Sequence, residues 1–314
     1  MLDKNEKTLC HVLTLALKIQ YYKQMKIRGE LPCCRIKNAY HNGTYKRSSD
    51  GQTIRRFRCK TCNKSFSSAT RSPLKWQKKR HINHALMVIL SNRGSLSGAA
   101  QILKVNPKTV AKKLSFLGGI CRKRLERERA KYSGIEHIQF DEFQTIEHTK
   151  CKPLSVAVAV AKKERKILGF RVSKMPATGH LASISRKKYG KRPDERMQGM
   201  SQLFDDLSRL LSPTASFSSD ECSFYKGVLR HYFPQANYAQ HKGQKSCVAG
   251  QGELKKTVFD PIFTVNHTFA MMRDGISRLT RRTWNTTKKI RGLIDHISIY
   301  IWMHNTQKTP LFGV

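Results

Sequence analysis

The stretch Glu136-His137-Ile138-Gln139-Phe140-Asp141-Glu142-Phe143 reads as a β-strand ending in two carboxylates, and the second half of the chain is ordered by it. Downstream, Leu154 to Ala161 and Ile167 to Val172 read as two further strands, a hairpin closed by a Lys162-Lys163-Glu164-Arg165 turn. Arg192 to Leu211 places Met200, Leu203, Phe204, Leu207, Leu210 and Leu211 on one face of a helix. The short run Ala215 to Ser219 then leads into Asp220-Glu221. A helix over Ser223–Tyr232, a strand over Ala236–Gln240 and a long helix from about Val265 complete the pattern.

The order βββ-α-β-α-β-α is that of the ribonuclease-H-like fold. There, a carboxylate on the first strand and one after the fourth come side by side at the sheet's edge, and a group from the last helix completes the cluster. Asp141 and Asp220 occupy the first two positions. Carboxylates held this way suit a pair of Mg²⁺ ions about 3.5–4 Å apart, one activating the attacking oxygen of a phosphodiester displacement and the other stabilising the leaving oxygen. The implied chemistry is phosphoryl transfer.

Charge narrows the partner. The 314 residues carry 60 Lys and Arg against 21 Asp and Glu, a net charge of +39 and a pI near 10.3. Residues 1–134 hold 31 of the cations and 6 of the anions, so this part is expected to bind a polyanion. No apolar run approaches the roughly 20 residues of a membrane helix, and the N-terminus has no secretory pattern. The expectation is a cytoplasmic, nucleoid-associated protein with no membrane partner. Nine cysteines, an odd number, fit free thiols and a metal site better than a disulfide framework.

Upstream of a boundary at Tyr132-Ser133-Gly134, with the catalytic domain spanning 135–314, three further segments separate. Residues 1–28 suggest a short helix. Residues 29–70 combine turn formers, among them Asn42-Gly43, with Cys33, Cys34, Cys59 and Cys62, as in a zinc ribbon. Cys59-Lys60-Thr61-Cys62 is a CxxC knuckle. Its upstream partner is irregular, with Leu31 ahead of Cys33-Cys34, and His41 is an alternative fourth ligand. Arg55, Arg56 and Arg58 would present cations to phosphates. Residues 78–130 have the layout of a helix-turn-helix, with a break at Lys104-Val105-Asn106, Asn106 as N-cap and Pro107 at the first helical position. Val110, Leu114 and Leu117 face inward. Lys108, Thr109, Lys112 and Lys113 are expected to face outward, toward a major groove.

Taken together, the cysteine segment, the helix-turn-helix, Phe140-Asp141-Glu142, Ser219-Asp220-Glu221 and Asn266…Arg273…Ser277-Arg278-Leu279-Thr280-Arg281-Arg282-Thr283 resemble bacterial insertion-sequence transposases of the DDE superfamily, of the zinc-ribbon type represented by the insertion sequence one family. The resemblance covers the chain from about residue 29. It implies a multi-domain α/β protein that binds the ends of its own element as an oligomer on double-stranded DNA, then cuts and joins strands with Mg²⁺ and without a covalent protein intermediate. Asp141 and Asp220 match the family's first two catalytic positions. The third falls on Asn266, where many members carry Glu, with Glu253 and Asp260 as competitors. Asn266 lies seven residues, about two turns, before Arg273, so both face one way. Phe269, Met272, Ile276 and Leu279 form the buried stripe. Arg273, Arg278, Arg281 and Arg282 would contact DNA. A DNA-binding repressor descended from such an enzyme would need only the basic N-terminal modules.

Overall fold

A computed structural model describes residues 39–48, 50–75, 77–129, 131–242, 260–280 and 285–306. The expected N-terminal helix, Cys33, Cys34, Glu253, Arg281 and Arg282 lie outside the described residues. The chain divides into two compact units at Ile82/Asn83.

The first unit is a three-stranded antiparallel sheet of β1 (Ala39–Lys46), β2 (Thr53–Cys59) and β3 (Ser65–Ser67). Asn42-Gly43 does not make the expected turn. Gly43, at φ +75°, instead sits where the β1–β2 register shifts between His41 and Thr44, so the left-handed residue is spent on a bulge inside the strand. The β1–β2 turn is Arg47 to Gln52, closed by an Arg47–Asp50 ion pair and by Gly51 at φ +68°. Between β2 and β3 the CxxC knuckle folds back on itself, Cys59 N donating to Lys64 O (3.0 Å) and Asn63 N to Cys59 O (3.0 Å).

The second unit is built on a five-stranded sheet in the order β6-β5-β4-β7-β8: β4 His137–Glu147, β5 Thr149–Ala161, β6 Ile167–Lys174, β7 Ser216–Asp220 and β8 Asn237–His241. The first three strands form an antiparallel meander, and β7 and β8 then add in parallel beside β4. Before the sheet come helices α1 (Ile82–Ser91), α2 (Leu96–Ile102) and α3 (Pro107–Arg129). The crossover from β6 to β7 carries α4 (Leu181–Tyr189) and α5 (Arg196–Ser208), and α6 (Tyr225–Tyr232) links β7 to β8. Two helices close the unit, α7 (Phe263–Gly275) and α8 (Ile290–Thr306).

Alternation along β5 explains the layers. Leu154, Val156, Val158 and Val160 face a core shared with α1, α3, α7 and α8. Ala157, Ala159 and Ala161 face the other way, and their small size leaves room for the rings of Phe140, Phe204, Phe217, Tyr225 and Phe233. Phe140 and Phe204 meet edge to face with centroids 4.9 Å apart. Of the expected stripe, Met200, Leu203, Phe204 and Leu207 are buried on α5, which is shorter than expected at both ends; Leu211 is buried beyond it and Leu210 half-buried.

The sequence reading gave one long helix after residue 265; among the described residues there are two. α7 ends at Gly275, and Ile276 and Leu279 of the expected stripe are buried beyond it. Helices α2 and α3 follow one another across the break at Leu103–Asn106. Asn106 Oδ1 accepts from Lys108 N at 2.8 Å, and Pro107 opens the second helix. That helix, however, continues unbroken for 23 residues and shares the core of the sheet through Leu114, Leu117, Cys121 and Leu125. At Gly118 it passes so close to α8 that a Cβ would stand 2.6 Å from Asp295 Cβ.

Candidate active site

Strand register brings the two aspartates together. β4 and β7 pair in parallel up to Gln139↔Ser218, so Asp141 and Asp220, each two residues further on, stand level on neighbouring strands. There the pairing stops and the strands part. Their carboxyl groups are close enough to shift each other's titration, Tyr225 donates its hydroxyl to Asp141 Oδ1 (3.2 Å), and Glu142 N donates to the same oxygen (2.6 Å). Burial, and then the charge of Asp220, push Asp141 well above the usual carboxylate range; burial raises Asp220 as well. Glu142, on the opposite face of β4, is pushed up to about 7 by burial. Asp220 Oδ1 and Glu142 Oε1 are both buried without a hydrogen-bond partner. Acceptors left bare in this way fit a cation, and carboxylate oxygen is what a hard divalent ion takes. Among the described residues no third His, Cys, Asp or Glu joins a metal-holding group.

Gln139 fastens the helical layer beside this pair. Its buried side chain donates to Pro261 O (2.8 Å) and accepts from Val265 N (3.1 Å), which pins the start of α7 two residues before Asp141. Phe143, on the same face of β4, packs on Phe269 and lies under the Arg273 guanidinium at 5.1 Å. Asn266 is half-buried on α7 and donates to Asp260 Oδ2 (2.8 Å); among the described residues no hydrogen bond joins it to either aspartate. The pattern of the sequence did not single out Tyr225 or Gln139. Each occurs once, outside any period, and only the register reveals what it reaches.

No protein-family model matches the chain, and no curated protein does. Solved structures do. The catalytic domain of Mos1 mariner transposase aligns over 61% of this chain and 91% of that one, at 12% identity and a TM-score of 0.24. The same domain with raltegravir and Mg aligns over 61% and 92%, again at 12% identity and 0.24. The Mos1 mariner paired-end complex with Mn aligns over 74% and 80%, at 11% identity and 0.23. At such scores residue roles do not transfer.

The residues expected to touch DNA are placed unevenly. Arg55, Arg56 and Arg58 are exposed on β2, with Arg56 over the Tyr45 ring and Arg58 bonded to Asn63 O. Lys108 and Lys112 are exposed on α3, and Thr109 is half-buried. Lys113 is a correction. It is 3% exposed, and its ammonium donates to Asn83 Oδ1 at 2.6 Å, because its position on α3 faces α1. Arg278 is half-buried after α7. Cys59 is buried, Cys62 half-buried and His41 exposed with its ring edge-on to Phe57.

Proposed function

We propose that this chain is a DNA transposase of an insertion sequence, cutting and joining DNA strands with divalent cations. The observation that carries the reading is the level pair Asp141–Asp220, with an orphaned, buried carboxylate oxygen, at the point where two parallel strands diverge in a chain of net charge +39. Mg²⁺ held by these carboxylates would supply Lewis acidity to both oxygens of the displacement. The chain's own residues do the rest. Tyr225 holds Asp141 in one rotamer, Gln139 holds α7 in register with β4, and the exposed cations of β2 and α3 attract duplex DNA. The expected result is Mg²⁺-dependent nicking and strand joining of DNA that carries the element's ends. Wild-type protein that binds such DNA but neither cuts nor joins it across a range of Mg²⁺ and Mn²⁺ would favour the repressor instead.

The third member of the site is proposed as Asn266. Two residues along α7 from Thr264, whose hydroxyl donates to Lys162 O, Asn266 lies on the opposite flank of the helix and donates to Asp260, the competing candidate. Asn266→Ala is expected to lower the strand-transfer rate roughly 10- to 100-fold, as loss of a supporting metal contact does elsewhere. Asn266→Asp should keep activity at lower Mg²⁺. If Asp260→Asn is dead and Asn266→Ala is active, Asp260 is the third group.

A zinc ion is proposed for the cysteine module, held by Cys59 and Cys62 with Cys34 and either Cys33 or His41. Elemental analysis of freshly reduced protein should find at most one zinc per chain, lost in Cys59→Ser. Zinc-free protein with the β1–β3 sheet intact would rule this out.

A further inference from the structure

Arg278 is charged and half-buried. Among the described residues it has no hydrogen-bond or ion-pair partner. The carboxylate whose charge reaches it, Asp295, already serves Arg122 at 2.6 Å and Arg291 at 3.8 Å, so one buried anion faces three guanidiniums. Arg278 also lies against the first turn of α8, the positive end of that helix: a Cβ on Gly292 would stand 2.8 Å from Arg278 Nη1. The missing side chain of Gly292 leaves the space in which the guanidinium sits. Arg278 lines a cavity of about 510 Å³ together with Thr145, Lys150, Thr178, Thr280 and Thr286, the rest of the wall being largely apolar. Hydroxyls, an ammonium and a guanidinium around one cavity with no carboxylate among its lining residues make a donor set for a phosphate group.

We propose that this cavity takes one backbone phosphate of the DNA strand whose reacting phosphate lies at Asp141 and Asp220, which rests on the functional reading above. Asp141, Phe143 and Thr145 share one face of β4. Four residues of strand put Thr145 about 13 Å from Asp141, a span of about two nucleotides along one strand once the turn of the duplex is added to its rise. The subsite therefore fixes the register of the strand at a distance from the reacting bond, as a positioning contact.

The test uses the full chain in EDTA, where no cleavage occurs, with a fluorescent 30-base-pair duplex titrated at several KCl concentrations. Arg278→Gln and Lys150→Gln should each weaken binding about 3- to 10-fold near 0.1 M salt. Each should also make the log–log salt slope shallower by about 0.9, the value of one phosphate. Arg278→Gln removes an unpaired charge and is expected to melt no lower than wild type; Lys150 is exposed, so its variant tests the cavity without touching the core. Gly292→Ala, which keeps the charge but fills the space under it, should reproduce the Arg278→Gln slope. Unchanged slopes in both charge variants overturn the proposal. So does a saturable rise in melting temperature with inorganic phosphate that Arg278→Gln abolishes while its DNA slope stays at the wild-type value, which would assign the cavity to a free anion. Because the readout needs no metal, wild-type protein that fails to cut DNA would overturn the transposase reading and leave the slope result standing.

Discussion

Asp141→Asn and Asp220→Asn proteins will bind DNA with nearly wild-type affinity, lose strand cleavage by about a thousandfold or more, and melt higher than wild type in EDTA at pH 8. The first two outcomes follow from removing a metal-holding charge without removing a phosphate contact. The third follows from the buried pair. Asp141 keeps its proton in the folded chain well above the pH at which the unfolded chain loses it, because of burial and the neighbouring Asp220 charge. Between the unfolded value near 4 and the raised folded value, the native state therefore binds more protons than the unfolded state. Stability falls as pH climbs through that window. Glu142, pushed up to about 7, adds to the same slope. An asparagine has no proton to lose, so the gap between variant and wild type should be near zero at pH 4 and should widen to about 2 kcal/mol at pH 8, on the order of 5 °C for a unit of this size. Saturating Mg²⁺ should reverse it, since the ion binds only the native carboxylates. Calorimetry across pH 4 to 8, with and without Mg²⁺, decides the matter. A gap between wild type and variant that stays constant over that range in EDTA would mean that the aspartates are not a buried pair.

Gly118→Ala will cost about 3 kcal/mol, roughly 6–12 °C in melting temperature, while its neighbour Gly119→Ala will be neutral or gain about 0.5–1 kcal/mol. The added methyl at 118 would meet Asp295 Cβ at 2.6 Å, Cα at 2.7 Å and O at 2.8 Å, which are largely the backbone of α8 and cannot swing aside. At 119 the nearest atom is the end of the Arg122 side chain, 3.8 Å away. Thermal melts of the two variants form an internally controlled pair, and equal melting temperatures would show that α3 and α8 do not cross where described.

The order of strands and the positions of the two aspartates were legible because they depend on local runs: β5 is apolar on both faces over Leu154–Ala161, Ile138 and Phe140 lead up to Asp141 on β4, and Asp220 ends β7, whereas the extension of β4 to Glu147 was not read. Features set by partners far along the chain were not. α4 buries Ser185 alone, so Leu181 to Tyr189 shows no apolar stripe from which a helix could be read. α8 is buried almost all round, which erases the periodicity that marks an amphipathic helix. Lys113 looks like a surface lysine until Asn83, 30 residues earlier, supplies its acceptor. Of the candidate site, the acidic pair came from motif position. Tyr225 acts through one hydrogen bond across 84 residues and Gln139 through two, across 122 and 126, distances over which sequence pattern has no reach.

The unbroken helix α3 has a mechanical consequence. Its exposed end at Lys108 stands ten residues, or about 15 Å, from the crossing at Gly118, while the other end is tied to the sheet layer through Arg129 and Asp206. A rod clamped in its middle is a lever. If a DNA groove tugs the Lys108 tip by about 2.6 Å, the rod must tilt by about 10° or the core at Gly118 must yield, and a glycine seated on backbone atoms leaves little play. Load applied at the Lys108 tip would thus arrive, little damped, at the layer that holds Asp141 and Asp220.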